Sequence, residues 1–178
     1  MDGDDDLDLI TTNSENYDIS WWENDGSGTF TQYSIDTSFS GDMFGCDAGD
    51  VDGDGDLDIV AAALDDDVLV LYRNNGSMDF SGEIFVTDYD QPRFPVFYDI
   101  DLDGDLDVIG NASGDSTSGN SVDWFENDGT GAFTRHNISA DASRPFRSDA
   151  ADFDGDGLPE IVSTLYNANE VVIWEIWE

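Results

Sequence analysis

The sequence contains no lysine, one histidine (His136) and one cysteine (Cys46). Without lysine, Schiff-base and lysine-base chemistry are excluded. A lone cysteine excludes an internal disulfide, which fits a reducing compartment or an exported domain held together by metal instead of sulfur. No stretch approaches the roughly 18 consecutive apolar residues of a membrane-spanning helix, so membrane insertion is not expected. The basic and apolar regions of a secretory leader are also missing, since Met1 runs straight into aspartates. Positive charge is scarce throughout. Five arginines face 42 acidic residues, for a formal net charge of −37. Such a surface repels nucleic acid and anionic membranes and attracts divalent cations.

What is present is regular. The 178 residues, 39% of them hydrophobic, suffice for one domain with a sizeable core. The carboxylates alternate with β-branched and aromatic residues, unlike those of a disordered acidic tail. The stretches "MDGDDDLDLI" (1–10), "DVDGDGDLDIV" (50–60), "DIDLDGDLDVI" (99–109) and "DFDGDGLPEIV" (152–162) align without gaps, about every 50 residues. A second motif keeps the same beat: "WWENDGSGTF" (21–30), "LYRNNGSMDF" (71–80) and "WFENDGTGAF" (124–133). Its Asn-Gly and Asp-Gly pairs are strong hairpin signals. Short apolar and β-branched runs surround both motifs, and no window has helical periodicity.

Four antiparallel strands per repeat, here lettered A to D, are the layout of a β-propeller blade, and the fold class is all-β. The repeats divide as 1–41, 42–90, 91–143 and 144–178 within a single domain. They read as B-C-D, A-B-C-D, A-B-C-D and A-B-C, so the first and last blades are incomplete. The closing "IWEIWE" lacks the Asn-Asp-Gly turn. Such an array implies a longer chain or self-association, in preference to a small four-bladed ring.

The aspartate loop joins strand A to strand B and reads as a coordination shell. In the second repeat, positions 1, 3, 5 and 9 are Asp50, Asp52, Asp54 and Asp58. Position 6 is Gly55, suited to a sharp turn, and position 7, Asp56, offers its backbone carbonyl. An all-oxygen shell suits Ca²⁺ better than zinc. Without an ion, like charges ~4 Å apart cost roughly 4 kcal/mol at an effective dielectric of ~20. The third loop repeats the set with Asp99, Asp101, Asp103, Asp105 and Asp107, and the fourth with Asp152, Asp154, Asp156, the Leu158 carbonyl and Glu160. The first retains Asp2, Asp4, Asp6 and Asp8 but has Asp5 in place of the glycine. Three to four calcium sites are therefore expected.

The run "FGCDAGDVDGDGDLDIVAAA" (44–63) resembles the FG-GAP repeat of integrin-α-type β-propellers, also seen in bacterial VCBS-like arrays. Phe44–Gly45 matches the Phe-Gly element, for which the third and fourth repeats have Phe94–Pro95 and Phe146–Arg147. The resemblance implies calcium in the A–B loop, stiffening each blade of a ring that usually has seven. It implies adhesion, lectin-like sugar binding or scaffolding in exported or cell-surface proteins, and some similar propellers are polysaccharide lyases.

Beyond the loops, candidates for chemistry are few. His136 reads as a surface residue and Cys46 as core packing, while Trp21, Trp22, Trp124 and Trp174 read as inter-blade packing on strand C. Arg93, Arg144 and Arg147 fall in D–A connections or early A strands, with Tyr89, Phe94 and Tyr166 in loops of the same face. They form a candidate site for an acidic glycan, beside the serine-rich B–C loop 111–121. The primary expectation is a non-enzymatic, calcium-stabilised structural or adhesion module, with a protein among its candidate partners. The alternative is a lectin-like or lyase-type module for acidic glycans.

Overall fold

The computed structural model describes residues 1–114 and 119–176. Among them are fourteen strands in four antiparallel sheets, and no helix. The first sheet has three: β1 (Leu9–Asn13), β2 (Asp18–Asn24) and β3 (Phe30–Asp36). The second holds β4 (Met43–Gly49), β5 (Asp58–Ala63), β6 (Val68–Asn74) and β7 (Phe80–Val86). The third holds β8 (Pro92–Tyr98), β9 (Asp107–Ala112), β10 (Ser121–Asn127) and β11 (Phe133–Ser139). The fourth ends the array with β12 (Pro145–Ala151), β13 (Glu160–Leu165) and β14 (Glu170–Trp174). Each sheet pairs its strands in chain order, as propeller-like blades do. The strands expected from the sequence are all present, in the expected 3-4-4-3 distribution.

The sheets stack through their faces. Residues of β5 alternate between two neighbours, as the period of a strand requires. Ile59, Ala61 and Ala63 join Ile19 and Met43 in a core between the first and second sheets, whereas Val60 and Ala62 join Val108 and Phe125 between the second and third. A third core sets Ile109 and Trp124 against Ala150 and Ile161 of the last sheet. β5 and β9 are buried along their whole length because both faces are covered, which explains why, after the leading aspartate, they are apolar but for Asn111. The last strands of the sheets, β3, β7 and β11, are largely exposed. The first strands crowd together, with β4 packed on β1 and β8, and β8 on β12. Among the described residues, no helix is long and apolar enough to cross a membrane.

Candidate metal centres

The acidic loops lie at one end of the sheets, before β1 and between β4 and β5, β8 and β9, and β12 and β13. Their backbone is held by the aspartates themselves. The position-1 carboxylate accepts the N–H of the position-6 glycine: Asp50 from Gly55 at 2.9 Å, Asp99 from Gly104 at 3.2 Å and Asp152 from Gly157 at 3.0 Å. Those glycines have φ of 95°, 101° and 95°, a left-handed conformation that disfavours a side chain. The position-5 carboxylate accepts the N–H of position 7 at 2.9 Å in every loop, as Asp54 does from Asp56 and Asp156 from Leu158.

Three loops bring carboxylate oxygens together. One oxygen each from Asp50, Asp52 and Asp58 lies within 4.8 Å of the others, and the same holds for Asp99, Asp101 and Asp103 and for Asp152, Asp154 and Glu160. These clusters can hold a metal ion. Asp54, Asp107 and Asp156 stay outside the groupings, and among the described residues the first loop forms none from Asp2, Asp4, Asp6 and Asp8. There Asp5 takes the glycine's place with φ 73°. The donor set passes a test of fit. Asp52 Oδ1 and Asp99 Oδ1 are buried with no hydrogen-bond partner, a costly state for a carboxylate oxygen that a cation would relieve. Burial and the neighbouring Asp103 charge raise the Asp101 carboxyl above its ordinary value, a cost that a bound cation would offset.

Position 9 does something the sequence reading missed. Asp58 is buried and accepts N–H groups from Val51 at 3.2 Å and from Asn74 at 2.8 Å. Asp107 does the same with Ile100 at 3.0 Å and Asn127 at 2.8 Å, and burial pushes it up to about 6. Glu160 accepts from Phe153 at 2.7 Å. This carboxylate closes each loop, and Asp58 and Asp107 also tie it to strand C of their own sheets.

A second tie explains why the two motifs repeat in phase. The asparagine ending that strand donates back to the loop carbonyl, as Asn24 does to Leu7, Asn74 to Leu57 and Asn127 to Leu106. Its Oδ1 accepts the N–H of the turn glycine two residues on. A Cβ on Gly26, Gly76 or Gly129 would collide with the carboxylate of Asp6, Asp56 or Asp105. The position-7 side chain is thus spent on the turn, which leaves its carbonyl for an ion. Where the turn motif is missing, in the fourth sheet, position 7 is Leu158.

Arg73 was also missed. Its guanidinium reaches Asp52 Oδ2 at 2.9 Å and donates to the carbonyls of Thr130 (3.1 Å) and Gly131 (3.0 Å) in the next sheet. Asp52 therefore divides its oxygens, one to arginine and one to the buried cluster. The available signal was an arginine before the Asn-Gly turn where its counterparts are Glu23 and Glu126.

At the opposite end, the candidate arginines share one aromatic network. Phe44, Phe94 and Phe146 meet with centroids 5.1, 5.5 and 6.3 Å apart. Arg93 is 8% exposed, its guanidinium 4.7 Å from the Phe44 ring and 5.3 Å from that of Phe146. Arg147 lies over Phe94 and Arg144 over Tyr166. The register corrects one alignment: Arg93–Phe94, not Phe94–Pro95, stands opposite β9 where Phe44–Gly45 stands opposite β5. Tyr89 lies in a connection at this end, its N–H donating to the Asp67 carbonyl, but its side chain is buried and hydrogen-bonded to Asp123 and so takes no part in the exposed face. Residues 115–118 of the serine-rich loop, and 177–178 of "IWEIWE", lie outside the described residues. Trp21 and Trp124 point to one side of their sheets, while Trp22 and Trp174 sit one register step on, toward the other. His136 is partly exposed, stacked on Trp124 and 2.6 Å from Glu126, and Cys46 packs against the first core.

The model of the FG-GAP-like repeat matches three times, over residues 1–61, 50–110 and 112–163. The chain belongs to the FG-GAP-like repeat family. The first two FG-GAP matches each run from one acidic loop through the strand after the next, so the loop–sheet–loop unit described above is what the family shares. FG-GAP repeats are structural repeat modules that occur in extracellular proteins and often bind calcium. Comparison with curated proteins found no match.

Proposed function

We propose that this chain is a calcium-stabilised β-propeller module of an exported or cell-surface protein, serving as a structural or adhesion scaffold. The observation that carries this reading is the pair of buried, partnerless oxygens, Asp52 Oδ1 and Asp99 Oδ1, inside oxygen-only clusters that recur in successive sheets. Calcium in loops two, three and four would take the convergent carboxylates and the carbonyls of Asp56, Asp105 and Leu158. It would turn a repulsive loop into a crosslink between strands. Assembly of further blades around the same axis, from a second copy or a longer polypeptide, belongs to this reading. The test is thermal unfolding in millimolar calcium and in chelator, with calorimetric titration. Tight binding at three sites, each tenfold above its Kd, would add about 1.4 kcal/mol per site. Asp52→Asn and Asp101→Asn should each remove one site. Equal melting temperatures in calcium and chelator would overturn the proposal.

A second reading is favoured by the arginine and aromatic network at the other end. A lectin-like or lyase-type module would hold an acidic glycan with Arg144 and Arg147, with Arg93 orienting the Phe44 and Phe146 rings. Arg144→Gln with Arg147→Gln should then abolish retention on sulfated or carboxylated glycans, and new unsaturated ends would mark a lyase. Unchanged retention would remove this reading.

A further inference from the structure

The repeats contain an internal comparison between two equivalent clefts. Between the second and third sheets, Arg73 fills the space bounded by Asp52 and by the turn carbonyls of Thr130 and Gly131. A Cβ on Gly131 would collide with that guanidinium, so the fit is close. Between the first and second sheets the equivalent positions are Asp2 for Asp52, Glu23 for Arg73, Ser77 for Thr130 and Met78 for Gly131. The turn keeps its backbone, with φ 59° at Met78 and 74° at Gly131. What differs is the plug. Glu23 carries the opposite charge, and its carboxylate accepts the Tyr33 hydroxyl at 2.8 Å. Here lies an open cleft of about 480 Å³ lined by Asp2, Glu23 and Asp79, by Ser77 and Met78, and by the aromatic rings of Trp21 and Tyr33. Those rings stack 5.0 Å apart, with Trp21 5% and Tyr33 44% exposed.

We infer that this cleft is a binding site for a guanidinium group, presented by an arginine side chain of a peptide or partner loop. The chain itself shows the chemistry one repeat on: a guanidinium bridging the position-3 aspartate and two turn carbonyls. The first cleft has the equivalent aspartate and turn and adds Glu23 and Asp79, so the site holds three carboxylates where the filled one uses one. A planar, delocalised cation suits both the paired acceptors and the face of Tyr33. A lysine ammonium would meet the charge but neither the fork geometry nor the stacking.

The test uses the capped tripeptide acetyl-Gly-Arg-Gly-amide and its lysine and citrulline counterparts, followed by nuclear magnetic resonance at 150 mM NaCl. The arginine peptide should shift the Trp21 indole and Met78 methyl signals saturably, with at least about tenfold higher affinity than either analogue. Glu23→Arg should supply the missing plug and abolish those shifts. Glu23→Gln, a milder change that spares the fold, should weaken binding about tenfold. Equal binding of the lysine peptide would mean simple attraction to a surface of −37, and equal binding of the citrulline peptide would mean that charge is irrelevant. Either result, or the absence of shifts at Trp21 and Met78, would overturn the inference.

Discussion

Single residues in the loops carry conformational cost that composition conceals. Position 4 is Gly3, Gly53 and Gly155 in three loops but Leu102 in the other, and all four have left-handed φ, 62° at Leu102. Leu102 is 52% exposed and so loses little packing if replaced. Leu102→Gly should therefore stabilise the protein by about 1 kcal/mol, readable in denaturant unfolding. Cys46 is governed by burial, helped by the Asp47 charge, which together push its thiol up to about 12. At pH 8 almost none is thiolate, so a disulfide-exchange reagent should label the folded protein very slowly and the denatured protein within seconds to minutes. Rapid labelling of the native state would contradict the packing around it.

At the scale of elements, the loop and the turn form one unit although about twenty residues separate them. The position-7 aspartate rests on the turn glycine, and the strand-end asparagine bonds both. Gly129→Ala should cost more than the ~1–2 kcal/mol of a left-handed alanine, because its methyl group also strikes Asp105. Combining it with Asp105→Gly should recover part of that loss, giving a coupling above about 0.5 kcal/mol in a double-mutant cycle. Strict additivity would mean that the two elements are independent. Reading the two motifs as in phase was possible from spacing alone, but the contact behind the phase was not. Local periodicity says which residues share a face, not which side chain crosses to another loop.

The whole molecule combines three apolar cores between sheets with an acid-covered exterior. Its net charge of −37 opposes compaction, and the opposition is long-ranged at low salt. In chelator, the melting temperature should rise steadily between 20 mM and 1 M NaCl as the Debye length shrinks. In calcium, with the loops neutralised in part, the rise should be smaller. A melting temperature that ignores salt in chelator would show that the acidic surface is not the dominant strain.

The strand order, the 3-4-4-3 arrangement and the position of each acidic loop follow from local signals: alternation of apolar residues, Asn-Gly turns and aspartates at every second place. Those signals act within a few residues, and the aspartates recur four times and the turns three times in phase, so chance cannot imitate them. Tertiary structure alone decided the rest. It put Arg93 between two phenylalanines from other sheets, gave Asp58 and Asp107 to backbone N–H groups, and used Arg73 to seal one cleft while its counterpart Glu23 left another open. The arginine placements depend on which surfaces meet when one sheet stacks on the next, and the Asp58 and Asp107 bonds on how each loop folds back on its own sheet; both are set by packing across distances that no local pattern encodes.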